Sequence, residues 1–198
     1  MDKTILIIIA AVIIVLIVVG LLLMQRRRTE RLQADFGPEY DHAVRQTGDK
    51  RKAESELQNR QKRVEKLELR PLESSQRQKF RSDWDKVQAE FVDDPEQSIN
   101  DADGLLQDLM AARGYPVKNF QQVADDISVD HPTVVQRFRT AHDIVVRHQR
   151  GQGGTEDLRN AMINYRALFD ELLTEGGDES HQSKPRRKND DPRTTQRV

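Results

Sequence analysis

An uncharged apolar run near the start of the chain places the strongest constraint on what this sequence can form. From Ile5 to Met24, 20 consecutive residues carry no charge, and only Gly20 falls outside the aliphatic and methionine side chains. A helix of about 20 apolar residues is what the ~30 Å hydrocarbon core of a bilayer requires. The run therefore predicts a membrane-spanning helix, with residues 1–25 acting as an anchor.

A cleaved secretory signal is the alternative explanation for this run. The apolar part of such a signal is about 7–15 residues long and precedes a cleavage site with small side chains. Here the run is longer, and it ends at Met24 in three leucines and a methionine, followed by Gln25 and Arg26. The sequence therefore favours an anchor that is retained.

Four arginines close behind the run predict its orientation. They are Arg26, Arg27, Arg28 and Arg31. On the other side, only Lys3 and the amino terminus carry positive charge. Because Lys and Arg near a span prefer the cytoplasmic side, we expect a single-pass cell-membrane protein whose C-terminal part is cytoplasmic. An exported domain is the alternative, since the N-terminal side is also positive. Residues 26–37 are predicted to form a basic juxtamembrane linker helix.

Beyond the linker, helix start and stop signals alternate with apolar faces up to about residue 173. Pro38 is suited to open a helix after Phe36 and Gly37, and Asp94-Pro95 combines an N-cap with a first-turn proline. Further candidate N-caps are Ser74 or Ser75, and Asp130. No segment shows the two-residue period of a strand. Residues 38–173 therefore predict an all-α bundle or array of about five or six helices.

The apolar faces identify the residues expected to form the core. The clearest face is an aromatic stripe at helical spacing, made of Phe80, Trp84, Val87 and Phe91. The expected core positions of the later helices are Ile99, Ala102, Leu105, Leu106, Leu109, Met110, Phe120, Val123, Ala124, Ile127, Val134, Val135, Phe138, Ala141, His142, Val145, Leu158, Ala161, Met162, Tyr165, Leu168, Phe169 and Leu172.

A highly charged helix is expected from Asp49 to about Leu69. Its apolar positions, Ala53, Leu57, Val64 and Leu67, form one narrow stripe, which Arg60 interrupts. The charges are expected to form a solvated face, supported by pairs one turn apart such as Glu56 and Arg60. A coiled-coil partner for the stripe is the alternative interpretation.

The chemical motifs of the chain are incomplete. Without cysteine there is no thiol chemistry and no Cys-based metal site. Glu39-x-x-His42 is half of a di-iron motif whose other half is missing. Asp125-Asp126 is interpreted as a helix-end cap pair. We therefore predict no catalytic, cofactor-binding or metal-binding residue. A hydrolase or metal enzyme using His42, His131 or His142 is the alternative.

Residues 174–198 lack apolar periodicity and are predicted to be a disordered, charged tail. The basic residues of this tail are Lys184, Arg186, Arg187, Lys188, Arg193 and Arg197. Such a segment either solubilises the chain or contacts anionic lipids. With 32 basic and 33 acidic residues in the whole chain, no nucleic-acid partner is expected.

Several short segments carry a resemblance. They are Phe36-Gly-Pro-Glu-Tyr40, Arg70-Pro-Leu72, Phe91-Val-Asp93, Arg113-Gly-Tyr-Pro116, Ser128-Val-Asp-His-Pro132, Thr155-Glu-Asp-Leu-Arg159 and Tyr165-Arg-Ala-Leu-Phe169. Over about residues 30–173, the chain resembles a family of uncharacterised bacterial proteins with one membrane span, often labelled hypothetical or secreted proteins. The resemblance implies a bacterial membrane-anchored protein, and it implies no activity or cofactor.

These observations favour a non-enzymatic module that is held in the lipid bilayer and binds a protein partner. The partner is expected to contact exposed parts of the Arg113–Ile127 region or the charged helix from Asp49 to Leu69. An exported cell-envelope protein with the same anchor is the alternative.

Overall fold

The computed structural model describes residues 3–174, with side chains from Val12 onward, and it is helical throughout. Its eight helices, with no strand in the described residues, are α1 Lys3–Phe36, α2 Pro38–Thr47, α3 Lys50–Val64, α4 Ser74–Glu90, α5 Pro95–Arg113, α6 Phe120–Asp130, α7 Val135–Gln149 and α8 Thr155–Thr174. The predicted all-α class is confirmed. Seven helices follow α1 in this part of the chain, more than the five or six expected. The predicted tail lies outside the described residues, apart from Thr174.

Helix α1 is continuous from the apolar run to Phe36. Of residues 26–37, which were predicted to form a juxtamembrane linker helix, residues 26–36 therefore form the last third of α1. Across the described residues, none of the helices combines the length and the apolar character that a membrane crossing requires.

The described residues contain two separate apolar clusters. The first cluster joins α1, α2 and α3, and its members are Leu32, Phe36, Tyr40, Ala43, Ala53 and Leu57. The larger cluster is built mainly by α4 to α8. The first three helices and the five later helices thus have separate cores.

The predicted faces of α4 to α8 form the larger cluster. Phe80, Trp84 and Val87 are buried, and Phe91 is partly buried against them. Trp84 stacks on Phe169 with their ring centroids 4.4 Å apart. A stacked aromatic pair adds about 0.5–1.5 kcal/mol to the burial of its surface. The core positions expected on α8 are all buried, so the helical spacing located this core correctly.

Helix α3 ends at Val64 rather than near Leu69. Leu67 and Leu69 leave the helical path and pack against the larger cluster. The backbone N–H of Arg70 then donates to the carbonyl of Arg113 at 3.0 Å. The longer helix was predicted because Leu67 fits the spacing of the apolar stripe of α3. In the structure, Leu67 instead belongs to the segment that crosses to α5.

Two predicted helix starts are also wrong. The N-cap of α4 is Glu73, whose backbone N–H donates to Gln76 Oε1 at 3.0 Å, so Ser74 already lies in the helix. Asp130 is the last residue of α6, and α7 begins only at Val135. His131 occupies the C-cap of α6, because its N–H bonds to the carbonyl of Ile127 at 2.8 Å and continues the preceding helix.

Candidate functional site

The part of α1 from Val12 to Met24 presents apolar side chains that nothing in the described chain covers. From Val12 to Met24 the large aliphatic and methionine side chains are 46–70% exposed. Farther along the same helix, Leu32 and Phe36 are buried in the first cluster. One helix therefore joins a bare apolar rod to the folded domain. The side chain of Ile5, the predicted start of the span, lies outside the described side chains.

Arg26, Arg27, Arg28 and Arg31 are all exposed on α1, directly after the apolar rod. Arg26 and Arg28 line a cleft between α1 and α3, which also contains Lys50 and Arg51. The volume of this cleft is about 760 Å³, and Leu22 contributes an apolar wall. We call this space the basic cleft; Arg27 and Arg31 are not among its lining residues.

Hydrogen bonds between α1, α2 and α3 hold the walls of the basic cleft. Glu54 Oε1 accepts from the hydroxyl of Thr29 at 2.7 Å and from the hydroxyl of Tyr40 at 3.0 Å. Arg28 also donates to Gln58 Oε1. Burial, together with the neighbouring Glu54 carboxylate, raises the pKa of Tyr40 to about 12. The Tyr40 hydroxyl therefore stays protonated at physiological pH and donates its hydrogen bond to Glu54.

A second polar site is a buried network of two arginines and two carboxylates. Glu39 lies at its centre, fully buried on α2. Glu39 Oε1 is 2.7 Å from Arg60 Nη1, and Glu39 Oε2 is 2.5 Å from Arg139 Nη1. Asp125 completes the network, with Oδ1 2.9 Å from Arg60 Nη2 and 3.1 Å from Arg139 Nη2. The four formal charges cancel, which is what burial of ions requires.

This ionic network connects the two parts of the fold. Its members come from α2, α3, α6 and α7. Gln136 adds a hydrogen bond of 2.6 Å to Glu39 Oε2, and Arg63 pairs with Asp126 at 2.6 Å. Burial raises the pKa of Asp125, while Arg60 and Arg139 act in the opposite direction. The network therefore fixes α2 and α3 to α6 and α7 through directional contacts.

The network corrects one sequence interpretation. Asp125 and Asp126 lie within α6 and face arginines, so they are not helix-end caps. The Glu39 carboxylate of the Glu39-x-x-His42 motif accepts hydrogen bonds from Arg60, Arg139 and Gln136. Burial and the guanidinium of Arg139 lower the pKa of His42, which belongs to the surroundings of the network.

The three histidines of the enzyme alternative make unrelated contacts. The ring of His142 stacks on Phe120 with centroids 3.5 Å apart. His131 is buried, and its Nδ1 lies 3.3 Å from Glu171 Oε1. His42 lies beside the network. Among the described residues, no group of three or more His, Cys, Asp or Glu side chains is placed to hold a metal ion.

The buried charges were not predicted from the sequence, because each helix was considered separately from the others. Arg60 did give a signal, since it interrupts the apolar stripe of α3 and is only 2% exposed. Arg139 gives a similar signal, because it lies one turn after the buried Val135. The acids that pair with them come from other helices, so no spacing along one helix identifies the pairs.

Comparisons with known proteins found no relative of this chain. No protein-family model matches the chain, and no curated protein or solved structure matches it.

Proposed function

We propose that this chain is a single-pass bacterial membrane protein that holds a helical interaction domain at a fixed place beside the bilayer. The observation that carries the proposal is the bare aliphatic surface of α1 from Val12 to Met24. Together with the preceding residues from Ile5, this surface gives an uncharged run of 20 residues, the length that a bilayer core requires. Water is a poor solvent for so large an apolar surface.

The way α1 enters the domain supports a fixed placement rather than a flexible tether. Helix α1 passes without a break from the apolar run to Leu32 and Phe36, which are packed against α2 and α3. The ionic network then ties α2 and α3 to α6 and α7. A scaffold with this construction presents the same face at the same distance from the membrane.

Alkaline carbonate extraction of membranes tests the anchor. The full chain should stay in the membrane pellet. The double variant Val15→Lys/Val19→Lys should move to the supernatant, because each lysine at a span centre costs about 2.5–3.5 kcal/mol. The matched control is Val92→Lys/Ile163→Lys, which changes exposed apolar residues outside α1 and should stay in the pellet. Release of the unmodified chain would contradict the proposal.

We further propose that the domain faces the cytoplasm, on the basis of Arg26, Arg27, Arg28 and Arg31. A protease added to intact cells without their outer layers should then cut a C-terminal tag only after the membrane is opened. Immediate cutting would support the exported alternative, which agrees with the label "secreted" borne by members of the family that the chain resembles.

The partner should recognise polar groups. Outside α1, the exposed large apolar residues of the described chain are Val92 and Ile163 alone. The apolar stripe of α3 is not open to a coiled-coil partner, because Ala53 and Leu57 pack against α1 and α2. Lys52 and Asn59 stay exposed on α3. Loss of a co-purifying protein in Lys52→Glu/Asn59→Glu, but not in Val92→Lys/Ile163→Lys, would locate the binding face on α3.

A further inference from the structure

The basic cleft lies at the point where the apolar run of α1 ends. Leu22 on its wall belongs to the run, whereas Arg26 and Arg28 lie one to two turns further on. With a rise of 1.5 Å per residue, Arg28 is about 6 Å beyond Met24. The headgroup layer on each side of a bilayer is about 5–8 Å thick. If the apolar run spans the bilayer, the cleft lies at the depth of the lipid headgroups.

Helix α3 brings its own basic groups to this depth. Thr29 contacts Glu54, and Arg28 contacts Gln58 one turn later on α3, so the two helices pack side by side. Lys50 and Arg51, in the first turn of α3, line the same cleft as Leu22 and Arg26, so this turn lies beside the end of the apolar run of α1. The side chain of Asp49 caps this turn by accepting the backbone N–H groups of Arg51 and Lys52, at 2.8 and 3.0 Å.

The cleft has an excess of positive charge that the chain does not neutralise. Its lining holds four basic residues and two acidic ones. Of the acids, Glu54 is engaged by the hydroxyls of Thr29 and Tyr40, and Glu30 lies one turn farther from the membrane than Arg26. Within the described residues, no carboxylate lies within ion-pair distance of Arg26, Lys50 or Arg51; Asp49 interacts with Arg51 electrostatically without forming an ion pair. The cleft therefore offers donors to an anion from outside the chain.

We propose that the basic cleft binds the phosphate of an anionic glycerophospholipid, with Arg26, Lys50 and Arg51 as its ligands. Both parts of such a lipid then meet a surface of matching chemistry. The cationic walls bind the phosphate, and Leu22 with the adjoining apolar surface of α1 contacts the start of an acyl chain. This inference rests on the proposed anchor. It adds a specific lipid partner, which fixes the orientation of α3 against the membrane.

Native mass spectrometry of the full chain released from nanodiscs tests the inference. The nanodiscs contain phosphatidylcholine with a minority of phosphatidylglycerol. The unmodified chain should retain phosphatidylglycerol well above its share of the bilayer. In Lys50→Gln/Arg51→Gln this enrichment should fall about tenfold, because each basic group near an anionic surface contributes a few-fold or more to binding. The enrichment should survive in nanodiscs at moderate salt, where exposed long-range attraction is screened.

The matched control is Lys62→Gln/Lys66→Gln, which removes the same charge from two exposed residues, one in the last turn of α3 and one just beyond its end. This control should keep the enrichment. The C-terminal tail is present in all three proteins, so its own attraction for anionic lipids is the same in each comparison. Equal enrichment in all three proteins, or an equal loss in both variants, would overturn the proposal.

Two further measurements separate the sources of failure. In pure phosphatidylcholine nanodiscs, millimolar inorganic phosphate should not raise the melting temperature of the chain; a rise lost in the Lys50→Gln/Arg51→Gln variant would assign the cleft to a soluble anion and overturn the lipid proposal. If the chain does not enter nanodiscs at all, the anchor itself is wrong. If it enters them without enrichment, only the cleft proposal is wrong.

Discussion

At the scale of single residues, Glu39 is a buried charge that depends on several partners at once. Its carboxylate is fully buried and accepts from Arg60, Arg139 and Gln136. Removing one partner of a buried ion pair typically costs about 3–5 kcal/mol, because the remaining charge is left without compensation. We therefore expect Glu39→Gln to lower the stability of the full chain by about this amount, measured by circular dichroism during thermal unfolding in nanodiscs.

The control for Glu39 is an exposed ion pair. Glu156 Oε2 lies 3.2 Å from Arg159 Nε, and both side chains are well exposed. Surface pairs of this kind contribute about 0–1 kcal/mol. Glu156→Gln should therefore leave the melting curve almost unchanged. Equal effects of the two substitutions would show that the buried network contributes little to the stability of this fold.

His42 makes the stability depend on pH. Its ordinary pKa is 6.5, and burial, reinforced by Arg139, lowers the pKa in the folded state. The unfolded chain therefore binds the proton more readily than the folded chain does. Above about pH 7 the residue is neutral in both states and has no effect, but as the pH falls from 6.5 through the folded pKa the fold loses stability.

Replacing His42 should remove that part of the pH dependence. We expect the stability of His42→Gln to fall less steeply than that of the unmodified chain between pH 7 and pH 5, as followed by thermal melts at each pH. Above pH 7 the two curves should run parallel. Parallel curves over the whole range would contradict the lowered pKa.

At the scale of elements, α5 contains two glycines with opposite requirements. Gly104 lies in the helix, and a Cβ added there would meet no atom within 4 Å. Gly114 is the C-cap with φ +97°, and a Cβ added there would come within 2.7 Å of the Glu68 carbonyl oxygen. The crossing segment after α3 therefore approaches the end of α5 as closely as a glycine permits.

The same substitution should consequently have opposite effects at the two glycines. Gly104→Ala should stabilise the chain by about 0.5–1 kcal/mol, through the usual preference of helices for alanine. Gly114→Ala should destabilise it by about 1–3 kcal/mol, because both the backbone conformation and the space are unfavourable. Chemical denaturation followed by the fluorescence of Trp84, the single tryptophan, reports on both. If Gly114→Ala left the stability unchanged, the crossing segment would have to shift away from the added Cβ at little cost.

The helices also show which parts of the fold can be predicted from the sequence. Helices with a wide apolar face, such as α5 and α8, were located from the spacing of that face together with start signals such as Asp94-Pro95, because burial of the face decides their position. The end of α3 at Val64 was missed because contacts with other elements decide it. The N-cap of α4 was missed because a reciprocal pair of Glu73 and Gln76, rather than a serine, forms it. Arg60, Glu39, Arg139 and Asp125 form a site only in three dimensions. A charge within an apolar stripe, as at Arg60, is the part of that site which a sequence can reveal.

At the scale of the whole molecule, the decisive question is how rigidly the apolar half of α1 is joined to the domain. Two layers of contact make the joint. Leu32 and Phe36 pack α1 onto α2 and α3, and the ionic network fixes these helices to α6 and α7. If both sets of contacts stay formed, the distance between the end of the apolar run and the later helices stays constant. If the first layer fails, α1 becomes a loose tether while the larger core stays folded.

Distances between spin labels measure this joint directly, and the absence of natural cysteine makes the labelling specific. Arg27→Cys on α1 and Arg81→Cys on α4 are both exposed and serve as label sites. In nanodiscs, pulsed electron paramagnetic resonance should give one narrow distance distribution. Adding Leu32→Ala/Phe36→Ala should broaden it, because each buried truncation removes about 2–5 kcal/mol of packing.

The comparison variant is Leu21→Ala/Leu23→Ala, which makes a similar change in the exposed half of α1 and should leave the distribution narrow. The unfolding transition of Trp84 should stay in place in both variants, because that residue belongs to the larger cluster. A broad distribution in the otherwise unmodified chain would mean that the domain hangs on a flexible tether. The membrane would then determine only where the domain is concentrated, not which face it presents to a partner.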